Sequence, residues 1–237
     1  AGGFGTVKMA VENGLPRDGL PPGQWLRSWL MEKLYRWMAG NPGHLDKLLG
    51  YAFPETDDVR EAADLPANVP IPRQDVILRD TWAEVTAIAD AYNEPGTFTA
   101  LIGYEWTSIP AGANLHRVIF TDGDGSIARQ FVPRTAPEGN HPESLWRWLE
   151  EIAAKTGADF IAIPHNSNIS RGFMFPTDKR LSGEPIDREW IDLRARWENV
   201  VEVTQVKGDS ETHPLLSPDD AFADFEDYPH SLRAHRR

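Results

Sequence analysis

The chain has 237 residues, with 36 Asp or Glu against 24 Lys or Arg, for a formal net charge of -12 at pH 7. An acid excess of that size disfavours duplex nucleic acid as a partner. The absence of cysteine excludes disulfides, thiolate metal sites and a cysteine nucleophile. The length suits one core-forming domain, or one domain with an appendage.

Residues 1–23 are rich in Gly and Pro and carry no period, so they read as a loop or arm. Residues 24–39 predict the first helix: Trp25, Leu26, Trp29, Leu30, Leu34, Trp37 and Met38 recur at helical spacing before Gly40 and Pro42. Its tryptophans read as the buried face of an amphipathic helix, with a sugar or partner platform as the rival reading. His44 follows in a short helical piece and reads as surface. Residues 54–72 are acidic and then proline-punctuated, which predicts an irregular connection. Residues 75–93 predict a second helix that feeds a strand. The expected division is therefore a helical and irregular segment over 1–74 and an α/β domain over 75–237.

The chemistry concentrates in residues 97–120, TFTALIGYEWTSIPAGANLHRVIF. The apolar, β-prone run 98–104 gives out at Glu105, and a second run, LHRVIF, opens with His116. A third run, 160–164, ends in His165 and Asn166. If the second strand returns antiparallel to the first, Glu105, His116 and His165 meet at one rim, and they are ligand types for zinc, manganese or iron. The rival reading is three separate hydrogen-bonded polar groups, since no HExxH or HxH spacing occurs.

Between these runs, Asp122, Gly123, Asp124 and Gly125 predict a hairpin turn joining LHRVIF to IARQFV. Pro142 opens the helix SLWRWLEEIAAK, which Gly157 closes. The loop 166–176 mixes Asn, Ser, Arg, Gly, Phe and Met, a composition suited to facing a substrate. Arg117, Asn166, Arg171 and Lys207 are the candidate substrate contacts. Residues 187–197 predict a helix, 200–206 a strand, and Ser217 a further helix cap. No apolar run reaches the length of a bilayer span and no signal-like stretch is present, so periplasm and cytoplasm both fit. Oligomeric state is open.

Read together, IGYEWTS, NLHRVIF, IPHNSNIS and VEVTQVKGDSETHPLLSPDDAFADFE resemble the bacterial family catalogued as domain of unknown function 3604, over roughly residues 75–226. That family in turn resembles the PHP (polymerase and histidinol phosphatase) metallohydrolases. The resemblance implies a distorted, TIM-barrel-like β/α barrel with two or three metal ions at its rim. It implies Glu105, His116 and His165 as metal ligands and catalytic residues, with Glu202, Asp209, Glu211 and His213 as further candidates. The family's early DLHxHT-like and TDH-like segments do not occur here, so the expectation is an internal fragment holding part of the barrel.

The function so implied is metal-dependent hydrolysis of a small molecule, most naturally a phosphate ester, by a metal-activated water. Two rival readings stand beside it. One is a noncatalytic module using the nine tryptophans to hold a carbohydrate or peptide; the other is a fragment inactive on its own.

Overall fold

A computed structural model describes residues 9–41, 56–65, 73–135 and 138–225. Its scaffold is an antiparallel sheet of β1 (Ile102–Trp106), β2 (Arg117–Thr121) and β3 (Phe160–Pro164), in that spatial order. The register pairs Glu105 with Val118 and Val118 with Ile163. Side chains alternate between the two faces of a sheet. Ile102, Tyr104, Trp106, Ile119, Phe160 and Ala162 therefore share one face, and all are buried. Gly103, Glu105, Val118, Phe120, Ile161 and Ile163 share the other, which the described residues leave partly open.

The helices account for that asymmetry. They include α1 (Pro22–Gly40), α2 (Val59–Asp64), α3 (Gln74–Tyr92), α4 (Gly125–Ala128), α5 (Pro142–Thr156) and α6 (Arg188–Trp197). Leu145, Trp146 and Leu149 of α5 form one apolar stripe, and they join Trp82 of α3, Trp190 and Trp197 of α6 and the buried sheet face in a single core. Pro142 sits in the first turn of α5, where its missing N–H costs nothing, and Gly157 ends the helix at φ 75°. The buried indoles mostly find acceptors: Trp82 Nε1 donates to the Ala128 carbonyl at 2.7 Å, and Trp190 Nε1 to Glu143 Oε1 at 2.6 Å. Such pairing lets a large aromatic surface be buried without stranding the N–H.

Among the described residues the expected barrel is not formed. A β/α barrel needs parallel strands closed on themselves, whereas β1 and β2, and β2 and β3, are antiparallel and the sheet is open. A second sheet consists of β4 (Thr204–Gln205) and β5 (Gly208–Asp209) alone. The described residues form a mixed α/β fold with two small open sheets, and the barrel-based likeness to PHP enzymes falls with the barrel.

Several local expectations are corrected too. The Asp-Gly string does not turn a hairpin: Asp124 caps α4, its carboxylate accepting from Ser126 N at 2.8 Å and Ile127 N at 3.2 Å. Residues 200–203 form no strand, and only Thr204 and Gln205 enter the small ladder. Ser217 starts a turn rather than a helix. The connection 54–72 includes α2, capped by Asp58, and residues 9–12 of the expected arm are helical, with Ala10 buried against Leu15 and Ile77. The first helix forms where its period predicts, but Trp25, Leu26, Trp29, Leu30 and Trp37 stay exposed, while Ser28, Glu32 and Met38 are its buried positions. Glu32 explains part of this, because it accepts from Leu15 N and ion-pairs with Arg17. His44 lies outside the described residues.

Candidate metal centre

Glu105 stands on β1 one residue from its end, His116 immediately precedes β2, and His165 immediately follows β3. In this register the three are on the open face, at the same end of the sheet. β1 and β3 deliver their residues at their carboxyl ends, while β2, running the other way, delivers His116 at its start. The antiparallel return thus gathers ligands that sequence separates.

One carboxylate oxygen joins them. Glu105 Oε1 lies 2.9 Å from His116 Nδ1 and 3.3 Å from His165 Nε2. The imidazoles meet edge to face, with centroids 5.7 Å apart. One ligand atom from each residue lies within 4.8 Å of the others, which makes the three a cluster able to coordinate a metal ion. The histidine side chains are 11% and 6% exposed and that of Glu105 is 44% exposed, so the cluster opens to solvent on its carboxylate side.

The protonation states suit metal binding. Hydrogen bonds from His116, and next from His165, hold the Glu105 carboxyl well below the usual carboxylate range. Burial pushes the proton affinity of His116 below its ordinary value against the opposing pull of Glu105, and the positive charge of Lys207 adds to the fall. An ionised carboxylate beside a neutral imidazole is a ligand set for borderline divalent cations. The outer nitrogens, His116 Nε2 and His165 Nδ1, are buried and have no partner among the described residues.

Loops fix these side chains from behind. Asn114 Oδ1 accepts from His116 N at 3.1 Å, and Asn114 N donates to the Ile169 carbonyl at 3.1 Å, tying the loop before β2 to the turn after β3. Asn166 opens that turn in the left-handed region, at φ 56° and ψ 46°, and both polar atoms of its buried amide lack partners among the described residues.

The other sequence candidates stand outside this three-residue cluster. Arg117 is buried on the opposite face, where Nε donates to Glu198 Oε1 at 2.8 Å. Arg171 Nη1 donates to the carbonyls of Asp57 and Ala111. Glu202 accepts from Gln205, and its N–H reaches the Pro164 carbonyl at 3.0 Å. Asp209 caps its own turn by accepting from Glu211 N and Thr212 N, while Glu211 and His213 are exposed. Lys207 is half-buried at the tip of the β4–β5 hairpin. Sequence reasoning missed Asn114, Asn168 and Glu198; only Asn114, two residues before His116 in a tight loop, carried a local signal.

Comparison with known protein families matches residues 14–236 to the family described as Protein of unknown function (DUF3604). The chain belongs to the DUF3604 family. The match reaches well before the 75–226 stretch that holds the four motifs, so α1 and α2 are part of the DUF3604 region as well. No curated protein and no solved structure matches the chain.

Proposed function

We propose that this DUF3604 chain is a divalent-metal-dependent hydrolase of a small molecule, with Glu105, His116 and His165 holding the ion. The observation that carries this reading is the convergence of one ionised carboxylate and two buried imidazoles at one end of an open sheet face. Three protein ligands with a solvent-exposed side match the pattern of a catalytic centre more than a closed structural one. Zinc, manganese and iron all fit the two-nitrogen, one-oxygen donor set.

When bound, the ion lowers the pKa of a water toward neutrality and polarises the bond to be cleaved. The chain's own residues do the rest. Glu105 offers a carboxylate oxygen from the open side, and the two imidazoles hold their positions because β2 and β3 are locked in register behind them. The Asn166 amide, buried and without a partner among the described residues, is the group we assign to substrate oxygen or nitrogen atoms. The phosphate-ester expectation came from the likeness to PHP enzymes, so the hydrolase reading extends equally to carboxylic esters and amides.

The test is elemental analysis of protein purified without chelators, beside Glu105→Ala and His165→Ala. Near-stoichiometric zinc, manganese or iron that is lost in both variants is the expected result, together with chelator-sensitive cleavage of chromogenic phosphate or carboxylic esters. Folded wild-type protein that holds no metal under any loading condition overturns the reading.

One observation favours a second reading. Trp25, Trp29 and Trp37 are exposed along α1, as a binding platform requires. Binding of a sugar or peptide that is indifferent to chelator and lost in Trp29→Ala would establish it.

A further inference from the structure

We infer that Lys207 seats an oxyanion of the substrate beside the metal centre, so that the substrate is an anionic ester or amide; this rests on the metal-dependent reading above. Three observations carry it.

The first is placement. The β4–β5 hairpin, with Val206 and Lys207 at its turn, is pinned to the short 3-10 turn Ser167–Ile169 that directly follows His165 and Asn166. Asn168 Nδ2 donates to the Lys207 carbonyl at 2.9 Å, and Asn168 N donates to Ser210 Oγ at 3.2 Å. The same turn is bonded through the Ile169 carbonyl to Asn114, the residue that holds His116 N. Lys207 is thus tethered by its own backbone to the loops that build the centre.

The second is the absence of a competitor. Every other cation named as a substrate contact is engaged: Arg117 by Glu198, and Arg171 by two backbone carbonyls. Among the described residues no carboxylate pairs with Lys207, although acids outnumber bases in the chain. The neighbouring acids are occupied locally, Asp209 by backbone N–H groups and Glu202 by Gln205. With no carboxylate engaging it among the described residues, the ammonium is available to an incoming anion.

The third is chemical fit. A lysine ammonium is a compact point charge on a flexible stem, suited to one oxygen of a phosphate or carboxylate rather than to a planar bidentate contact. In a chain of net charge -12 the distant field opposes an anionic ligand. That field is screened beyond about 8 Å at physiological salt, so the local cation and the metal decide.

The experiment uses the cobalt(II)-loaded chain, whose visible bands report ligands entering the metal's surroundings. Inorganic phosphate and acetate are titrated separately into wild type, Lys207→Ala and Lys207→Arg. Backbone tethering through the Lys207 carbonyl survives both substitutions, so cobalt content should match wild type. The expected result is a loss of about tenfold or more in affinity for at least one anion in Lys207→Ala, the size of one charge-assisted hydrogen bond. Partial recovery in Lys207→Arg, and a steeper salt dependence in wild type than in Lys207→Ala, are expected with it. Loss for phosphate alone assigns a phosphate group to this position, and loss for acetate alone a carboxylate. Equal affinities for both anions in wild type and Lys207→Ala, with cobalt bound, overturn this inference alone. A chain that takes up no cobalt overturns the metal reading, and this inference with it.

Discussion

His116 and Arg117 are adjacent in the chain and serve opposite faces of one sheet. The imidazole meets Glu105 on the open face, while the guanidinium is buried against Glu198 beneath it. Glu198 also accepts from Trp146 Nε1 at 2.7 Å and lies 3.0 Å from Arg194. The start of β2 is thereby held from the core side, which keeps His116 in place on the other.

Removing that buried carboxylate should be costly. Glu198→Ala leaves two arginines with uncompensated charge in the core, a loss of roughly 3–5 kcal/mol of stability. Urea denaturation checks it. Replacing Arg117 and Glu198 together by Met should recover part of the loss, because the desolvated pair is then removed as a unit.

The pH dependence has a definite sign. Burial places the folded-state pKa of His116 below its ordinary 6.5, so the unfolded chain takes up a proton first as pH falls. The stability from neutral His116 is present above about pH 6.5 and is lost as pH falls toward its folded value. Glu105 acts in the same sense at lower pH: its contribution is present above its ordinary value of 4.5 and is lost as pH falls through the depressed one. The urea midpoint of metal-free protein should decline on acidification below about pH 6.5, and His116→Gln should remove the upper part of that decline. A midpoint that rises on acidification in this range would contradict the assignment.

Gly103 lies two residues before Glu105 and has no room for a methyl group. A Cβ there would sit 2.5 Å from the Ile119 carbonyl oxygen and 2.6 Å from the Phe120 ring. Gly103→Ala should cost about 1–3 kcal/mol. It should also weaken metal binding, because β1 must shift against β2. Calorimetry and metal titration on one preparation check both effects.

Asn166 separates a backbone role from a side-chain role. Its left-handed conformation is open to Gly and costs Ala about 1–2 kcal/mol. Asn166→Gly should therefore keep wild-type stability and Asn166→Ala should lose it, while both raise KM to a similar extent if the amide contacts substrate. Thermal melts and steady-state kinetics distinguish the two roles.

The sequence disclosed what local patterning controls. The run 160–164 with His165 behind it, the helix between Pro142 and Gly157, and the gathering of Glu105, His116 and His165 at one rim all followed from period, caps and strand direction. Long-range contacts decided the rest. Asp124 and Gly125 suit a hairpin turn and a helix cap equally, and the bond from Gly125 N to Asp90 Oδ1 at 2.9 Å favours the helix. Residues 200–203 are β-prone but find only two isolated backbone bonds among the described residues, from Glu202 N to the Pro164 carbonyl and from Ser210 N to the Val203 carbonyl. The period of α1 was legible, whereas which side it would bury depended on Glu32 reaching Leu15 and Arg17.

The split of the centre across the chain also orders its assembly. Glu105 and His116 are 11 residues apart on neighbouring strands joined by one loop, whereas His165 arrives only after α4 and α5 have been traversed. Contacts close in sequence form at lower entropic cost. The first two ligands can therefore meet early, and the third locks in when β3 docks. A metal held by all three belongs to the last step of folding, so loading should act chiefly by slowing unfolding, with little change in the refolding rate.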